Sequence, residues 1–183
     1  MAFVDLKRNR LIFKLVIAGP PEVGKTTRLE QVGESGSFHE FGTSAAGRCR
    51  MARLPLEGLK DGRLAELELY EWHGPERADI RAKGLFVGLD GLVYMPDARE
   101  DRFVDSCRTF TFLEERAGRS KIARLPALLA LGRKDEGTLR LERFESKLLG
   151  PSWTHRVEAT FEEAEPFVET LRLYGEVVLT RTL

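Results

Sequence analysis

Gly19-Pro20-Pro21-Glu22-Val23-Gly24-Lys25-Thr26 spells a phosphate-binding P-loop pattern, a glycine and, after four intervening residues, Gly-Lys-Thr. The apolar run before it, Leu11 to Ala18, reads as a buried strand, and Thr27-Arg28-Leu29-Glu30-Gln31-Val32 after it reads as the first turns of a helix. Between a strand and a helix, the amides of Glu22 through Thr26 are expected to converge on a phosphate at the positive end of the helix dipole. Lys25 would reach the β- and γ-phosphates and the Thr26 hydroxyl would hold Mg²⁺. The expected phosphate-binding set is therefore Gly19, Glu22, Val23, Gly24, Lys25, Thr26 and Thr27.

With 183 residues, the chain is expected to form a single α/β domain over 1–183. Its 29 basic and 29 acidic residues balance, so no global field recruits nucleic acid or an anionic membrane. No apolar run approaches a membrane span, no signal-peptide or lipidation pattern is read, and Cys49 and Cys107 lack metal-ligand spacing. These readings point to a cytoplasmic protein without a stable membrane anchor. Asn9 is the only Asn and Gln31 the only Gln. That scarcity of heat-labile amides, together with the preference for Arg over Lys, fits a thermophilic or GC-rich source.

Beyond the P-loop helix, Gly33 to Gly47 is rich in Gly, Ser and Thr and reads as a long loop. Arg50 to Leu56 and Leu64 to Trp72 alternate as two strands of a hairpin. A short helix is expected over Glu76 to Leu89, a strand from Gly91 to Met95 and a helix from Asp101 to Arg116. Further strands are read at Leu125 to Leu131 and Thr154 to Ala159, with helices at Leu139 to Leu148 and Glu162 to Leu179. Strands alternating with helices predict three layers around a mostly parallel six-stranded sheet with one antiparallel hairpin strand. In such a sheet the P-loop, the stretch Trp72 to Glu76, Asp97 and Asp135 share the rim at the strand C-termini.

The order and spacing resemble the small Ras-like GTPases, and within them the bacterial gliding-motility and polarity GTPases of the MglA type. The resemblance rests on Leu11-Ile12-Phe13-Lys14-Leu15-Val16, the Gly19-Pro20 start and Gly24-Lys25-Thr26-Thr27 close of the P-loop, and Leu54-Pro55-Leu56. It continues through Leu69-Tyr70 leading to Gly74, the strand before Asp97 and the Asp135 loop. It implies a GTP- or GDP-binding switch that uses Mg²⁺, with a Roadblock-fold regulatory protein as a partner.

Several of the implied motifs are altered. The segment Glu71-Trp72-His73-Gly74-Pro75 stands where the family has a glycine followed by a water-orienting Gln. Glu71 would reach Mg²⁺ through a water and Gly74 would offer its amide to the γ-phosphate. Pro75 has no polar side chain with which to orient water, and Gln31 belongs to the first helix. His73 is the candidate substitute.

The base-reading motif, Asn-Lys-any-Asp in the family, is Gly132-Arg133-Lys134-Asp135 here. By resemblance, Asp135 would accept from the guanine N1 and N2 hydrogens, the Arg133 stem would lie on the base, and the Ala159 amide would face it. Thr43 and Ser44 are candidates for the switch I ligand of Mg²⁺, whereas counting back from Leu54-Pro55 lands near Arg48. Arg48 or Arg50 would then act as an internal arginine finger.

The first expectation is therefore a guanine-nucleotide-binding protein that hydrolyses slowly or not at all. Two alternatives stand beside it. One is a P-loop ATPase or nucleotide kinase with Asp97 as Walker B acid. The other is a nucleotide-free interaction module presenting Trp72, Pro75 and Phe86.

Overall fold

The computed structural model describes residues 3–41, 49–60, 62–74, 84–148 and 150–182. Thr43, Ser44, Arg48, Pro75 and most of the helix expected over Glu76 to Leu89 lie outside these residues; within that helix, residues 84–86 are helical.

The chain begins with strands β1 (Phe3–Asp5) and β2 (Arg10–Ala18), followed by helix α1 (Lys25–Glu34). Strands β3 (Ser37–Phe41), β4 (Cys49–Lys60), β5 (Arg63–Glu71) and β6 (Gly91–Tyr94) come next. Helices α2 (Phe103–Ala117) and α3 (Arg119–Ile122) precede β7 (Pro126–Leu131). The chain ends with α4 (Leu141–Glu145), β8 (Ser152–Glu158) and α5 (Ala164–Thr182).

Among the described residues the strands form one eight-stranded sheet in the order β3-β4-β5-β2-β6-β7-β8, with β1 paired to β2. The pairs β2–β5, β2–β6, β6–β7 and β7–β8 are parallel. The β4–β5 hairpin is antiparallel, as expected from its alternation.

The expectation of six strands needs correction at both additions. β1 lies antiparallel on Arg10 to Ile12, beside the part of β2 that β6 does not cover. β3 emerges from the stretch read as a loop and pairs with Cys49 to Arg53 of β4. Glycine there serves close approach: a Cβ on Gly36 would lie 2.0 Å from the Arg53 carbonyl oxygen, and one on Gly33 2.6 Å from Phe38 Cβ. Phe38 then packs onto the core below α1.

The alternation along β2 sorts the interior into two faces. Leu11, Phe13, Leu15 and Ile17 point to one side, where α1 and α5 contribute Leu29, Val32, Phe167, Leu171 and Tyr174. Val16 and Ala18 point to the other, against Phe110 and Leu113 of α2, Ile122 of α3 and Phe144 of α4. Helices therefore cover both faces of the sheet. Tyr174 ties the layers together: its hydroxyl accepts from the Leu92 amide at 2.8 Å and donates to the Pro126 carbonyl at 2.8 Å. No helix among the described residues is long and apolar enough to cross a membrane.

This topology places the site. β2 is central, with β5 on one side and β6 on the other, so successive crossovers diverge at its carboxyl end. In open α/β sheets such a switch point opens a crevice for ligands. The residues leaving β2 there are Gly19 to Gly24.

Candidate functional site

The turn from β2 into α1 is built from left-handed backbone. Glu22 has φ 61° and Gly24, the residue capping α1, has φ 94°. Left-handed residues beside a helix start turn successive amides toward one concavity. The cap provides no side-chain hydrogen bond. The first bond of the ladder runs from the Arg28 amide to the Gly24 carbonyl at 3.1 Å, leaving the amides of Lys25, Thr26 and Thr27 ahead of it without an intrahelical acceptor.

Lys25 is buried, 5% exposed, and its ammonium donates to the carbonyls of Gly19 at 3.0 Å and Pro20 at 2.7 Å. Burial pushes its pKa down to about 8 against the partial support of Glu71. A buried cation held by carbonyl dipoles is costly without an anion to face.

Thr26 lies beside it. Its hydroxyl donates to the Glu71 carboxylate, 3.0 Å from Oε1 and 3.1 Å from Oε2. Arg50, from β4, donates Nη1 to Thr26 Oγ1 at 3.0 Å and sits 3.5 Å from Glu71 Oε2. His73 Nδ1 lies 3.4 Å from Glu71 Oε1. Burial raises the Glu71 pKa, but the His73 ring, the Thr26 hydroxyl and the Lys25 ammonium outweigh it and hold the carboxyl below its ordinary value. Lys25, Thr26, Arg50, Glu71 and His73 thus form one polar cluster at the C-terminal ends of β2 and β5. Gly74 follows it, buried and with φ 89°.

The β7 and β8 loops close the other side. Arg133, itself left-handed at φ 53°, donates Nε to the Glu22 carbonyl at 2.9 Å. Asp135 is exposed at the same loop, and Ala159 is buried at the end of β8. Gly132 is closely packed: an added Cβ would lie 2.4 Å from Val23 Cγ2 and 2.5 Å from the Val23 carbonyl oxygen. Bare backbone contact here brings the two loops together. Gly132→Asn is accordingly expected to destabilise the protein by about 2 kcal/mol or more through overpacking, lowering the thermal midpoint rather than sharpening base selection. An unchanged midpoint would show that the two loops have room to part.

Three participants went unread in the sequence. Arg28 is 1% exposed; it donates to the carbonyls of Ala159 at 2.7 Å, Thr160 at 3.0 Å and Glu163 at 3.3 Å, and to Gln31 Oε1 at 2.8 Å. Gln31 Nε2 donates to the Phe161 carbonyl at 2.6 Å. The Phe161 ring sits against Gly24, where a Cβ would meet its Cζ at 2.0 Å, and the guanidinium of Arg28 stacks 5.0 Å from its centre. The sequence held one signal: Lys25, Arg28, Leu29 and Val32 follow the helical i, i+3, i+4, i+7 spacing, which puts Arg28 on the buried stripe of α1.

The chain matches no protein-family model and no curated protein. The geometry places the carboxylates and aromatics that the sequence offered as candidates. Asp97 is 1% exposed and engaged on both oxygens by Arg99, with Nε 3.0 Å from Oδ1, Nη2 2.7 Å from Oδ2 and the Arg99 amide 3.0 Å from Oδ1. The carboxylate that meets the Thr26 hydroxyl is Glu71. Trp72 and Phe86, expected on a partner-facing surface, are 2% and 5% exposed and pack edge to face with ring centres 6.0 Å apart. They belong to the core on the α2 side, because β5 ends by directing Trp72 beneath Phe112, 6.2 Å away and stacked. Thr27 is exposed on the first turn of α1.

Proposed function

We propose that the protein binds a guanine nucleotide at the β2–α1 loop as a P-loop protein of the Ras-like type. It would act as a molecular switch or scaffold that hydrolyses GTP slowly or not at all. The observation that carries this reading is Lys25. It is a buried ammonium, held at a left-handed turn by two carbonyls, beside three helix-start amides that lack intrahelical acceptors. A phosphate chain supplies the charge that this arrangement leaves uncompensated.

Slow turnover follows from the side chains available. Phosphoryl transfer relies on positioning and charge stabilisation. The only Gln of the chain, Gln31, is committed at both ends, to Arg28 and to the Phe161 carbonyl. It cannot orient an attacking water. His73 lies against Glu71, which makes it the candidate handler of a proton or water among the described residues of this rim.

Guanine selection rests on Asp135 and on a platform formed by the Arg133 stem and Phe161, whose ring centre lies 5.7 Å from the Arg133 guanidinium carbon. Competition against a fluorescent guanine nucleotide tests this choice. GTP and GDP are expected to displace it at least about tenfold better than ATP, the discrimination of one charge-assisted hydrogen-bond pair. Equal or better displacement by ATP would overturn it. The adenine-nucleotide alternative is disfavoured because Asp97 is bound on both carboxylate oxygens by Arg99.

The donors available for Mg²⁺ are the Thr26 hydroxyl and, through water, the Glu71 carboxylate. Both already carry Arg50 Nη1, at 3.0 and 3.5 Å. This donor set does not suit a divalent ion while the guanidinium is seated on it.

A further inference from the structure

We infer that Arg50 is the resident cation of the phosphate site, occupying the place a divalent metal would take, so that nucleotide binds without Mg²⁺. The inference rests on the nucleotide-binding reading above and adds to it the source of the positive charge.

The side chain is delivered by strand register. Met51 of β4 pairs with Tyr70 of β5, so the next residue outward, Arg50, reaches the end of β5 where Glu71 stands. On its other flank Arg50 pairs with Glu40 of β3, whose carboxylate accepts from Nε at 2.9 Å. The guanidinium is thereby oriented by one carboxylate and inserted between Thr26 Oγ1 and Glu71 by Nη1. Among the described residues Nη2 makes no hydrogen bond. The planar fork thus keeps donors for phosphate oxygens, the geometry in which Arg excels over Lys.

A metal bound to Thr26 Oγ1 at about 2.1 Å would share that oxygen with a guanidinium nitrogen, and Mg²⁺ demands near-ideal octahedral geometry there. Two cations facing each other across one hydroxyl would repel, with the Lys25 ammonium already next to them. Among the described residues, only Glu71 touches the Thr26 hydroxyl from the acidic side. One guanidinium suits that carboxylate without an added dication.

This role differs from that of an arginine finger, which stabilises charge developing during hydrolysis and leaves ground-state affinity for GDP largely unchanged. A resident cation acts on GDP and GTP alike, so affinity is the readout that separates the two.

The test is titration of fluorescent GDP into the full chain in excess Mg²⁺ and in excess EDTA, for wild type, Arg50→Gln and Arg50→Lys, with thermal unfolding of each. The wild-type dissociation constant is expected to change by less than about threefold on chelation. Arg50→Gln is expected to bind about 10- to 100-fold more weakly in EDTA, the loss of one charge-assisted contact, and to recover part of that in Mg²⁺. Arg50→Lys is expected to fall between. Wild-type binding that weakens tenfold or more in EDTA would overturn the inference while leaving nucleotide binding in place. The inference fails equally if Arg50→Gln binds in EDTA as tightly as wild type. Absence of wild-type binding in both buffers would remove the nucleotide reading and the inference with it. If Arg50→Gln unfolds, the wild-type chelation comparison and Arg50→Lys decide.

Discussion

Lys25→Met is expected to abolish nucleotide binding and, at the same time, to make the ligand-free protein more stable. The ammonium is 5% exposed and faces two carbonyl oxygens. Its burial depresses the pKa to about 8 from 10.5, a penalty of about 3 kcal/mol on the charged form. Methionine fills a similar volume without the charge but leaves the Gly19 and Pro20 carbonyls without their donor. We therefore expect a net gain of about 1–2 kcal/mol, raising the thermal midpoint by roughly 3–6 °C for a domain of this size. Binding of fluorescent GDP is expected to fall by about 100-fold or more, the worth of an ammonium on a partly desolvated phosphate. Calorimetric unfolding and titration together check this, and a variant binding within threefold of wild type would sink the assignment of Lys25.

The sign of the pH dependence follows from the same group. Its folded-state value lies below the unfolded one, so the penalty is fully present below pH 8. It is relieved as pH climbs from about 8 toward 10.5, where the folded ammonium has given up its proton and the unfolded one has not. The contribution of Lys25 to ligand-free stability therefore rises across that window and is flat below it. Anion binding has the opposite slope, because the phosphate requires the protonated form.

The second large effect is expected at Arg28, in the reverse direction. Arg28→Met retains the apolar stem but removes the donors to Ala159, Thr160 and Glu163, along with the stacking on Phe161 and on Phe167, 4.9 Å away. Burial lowers the Arg28 pKa to about 10, so the group is charged at neutral pH and its hydrogen bonds are charge-assisted. Leaving these carbonyls unpaired should cost about 3–5 kcal/mol, a fall in midpoint of roughly 10 °C or more. Nucleotide affinity should weaken about tenfold, since the loop that carries Ala159 and Phe161 is held to α1 by this side chain. A midpoint within 2 °C of wild type would show that Arg28 is not the strut joining α1 to that loop.

The contrast between these neighbours explains what could be read from the chain and what could not. Gly24-Lys25-Thr26 at the boundary of an apolar strand and an amphipathic helix is a local pattern. The conformation it requires, a left-handed glycine before the first helical residue, is set by residues adjacent in sequence. The strands β2, β6 and β7 were legible for the same reason, since buried runs of four to nine residues bounded by turn residues suffice to indicate them, and β5 was legible from its alternation. The edges were not. β3 lies in a Gly- and Ser-containing stretch whose pairing with β4 depends on bare backbone approaching Arg53, a contact invisible to periodicity.

Charged residues divided in the same manner. Asp97 and Glu71 both stand on the rim at the strand C-termini, Glu71 expected to reach Mg²⁺ through water and Asp97 expected as the Walker B acid of the alternative reading. Folding put Arg99 on both oxygens of Asp97 and left Glu71 facing Thr26, separated by 45 residues in the chain. Trp72 and Phe86 suggested a docking surface by their chemistry, yet they pack on each other in the core on the α2 side of the sheet. By itself the sequence determined an α/β chain with a glycine-flanked Gly-Lys-Thr turn at the head of its first helix, because those features depend on backbone conformation and on neighbours within one element. Only the tertiary structure decided which cation sits on Thr26, which carboxylate answers it and which arginine holds the far loop. Each of those choices is a pairing across strands and loops, set by register and by the need to neutralise charge wherever water is excluded.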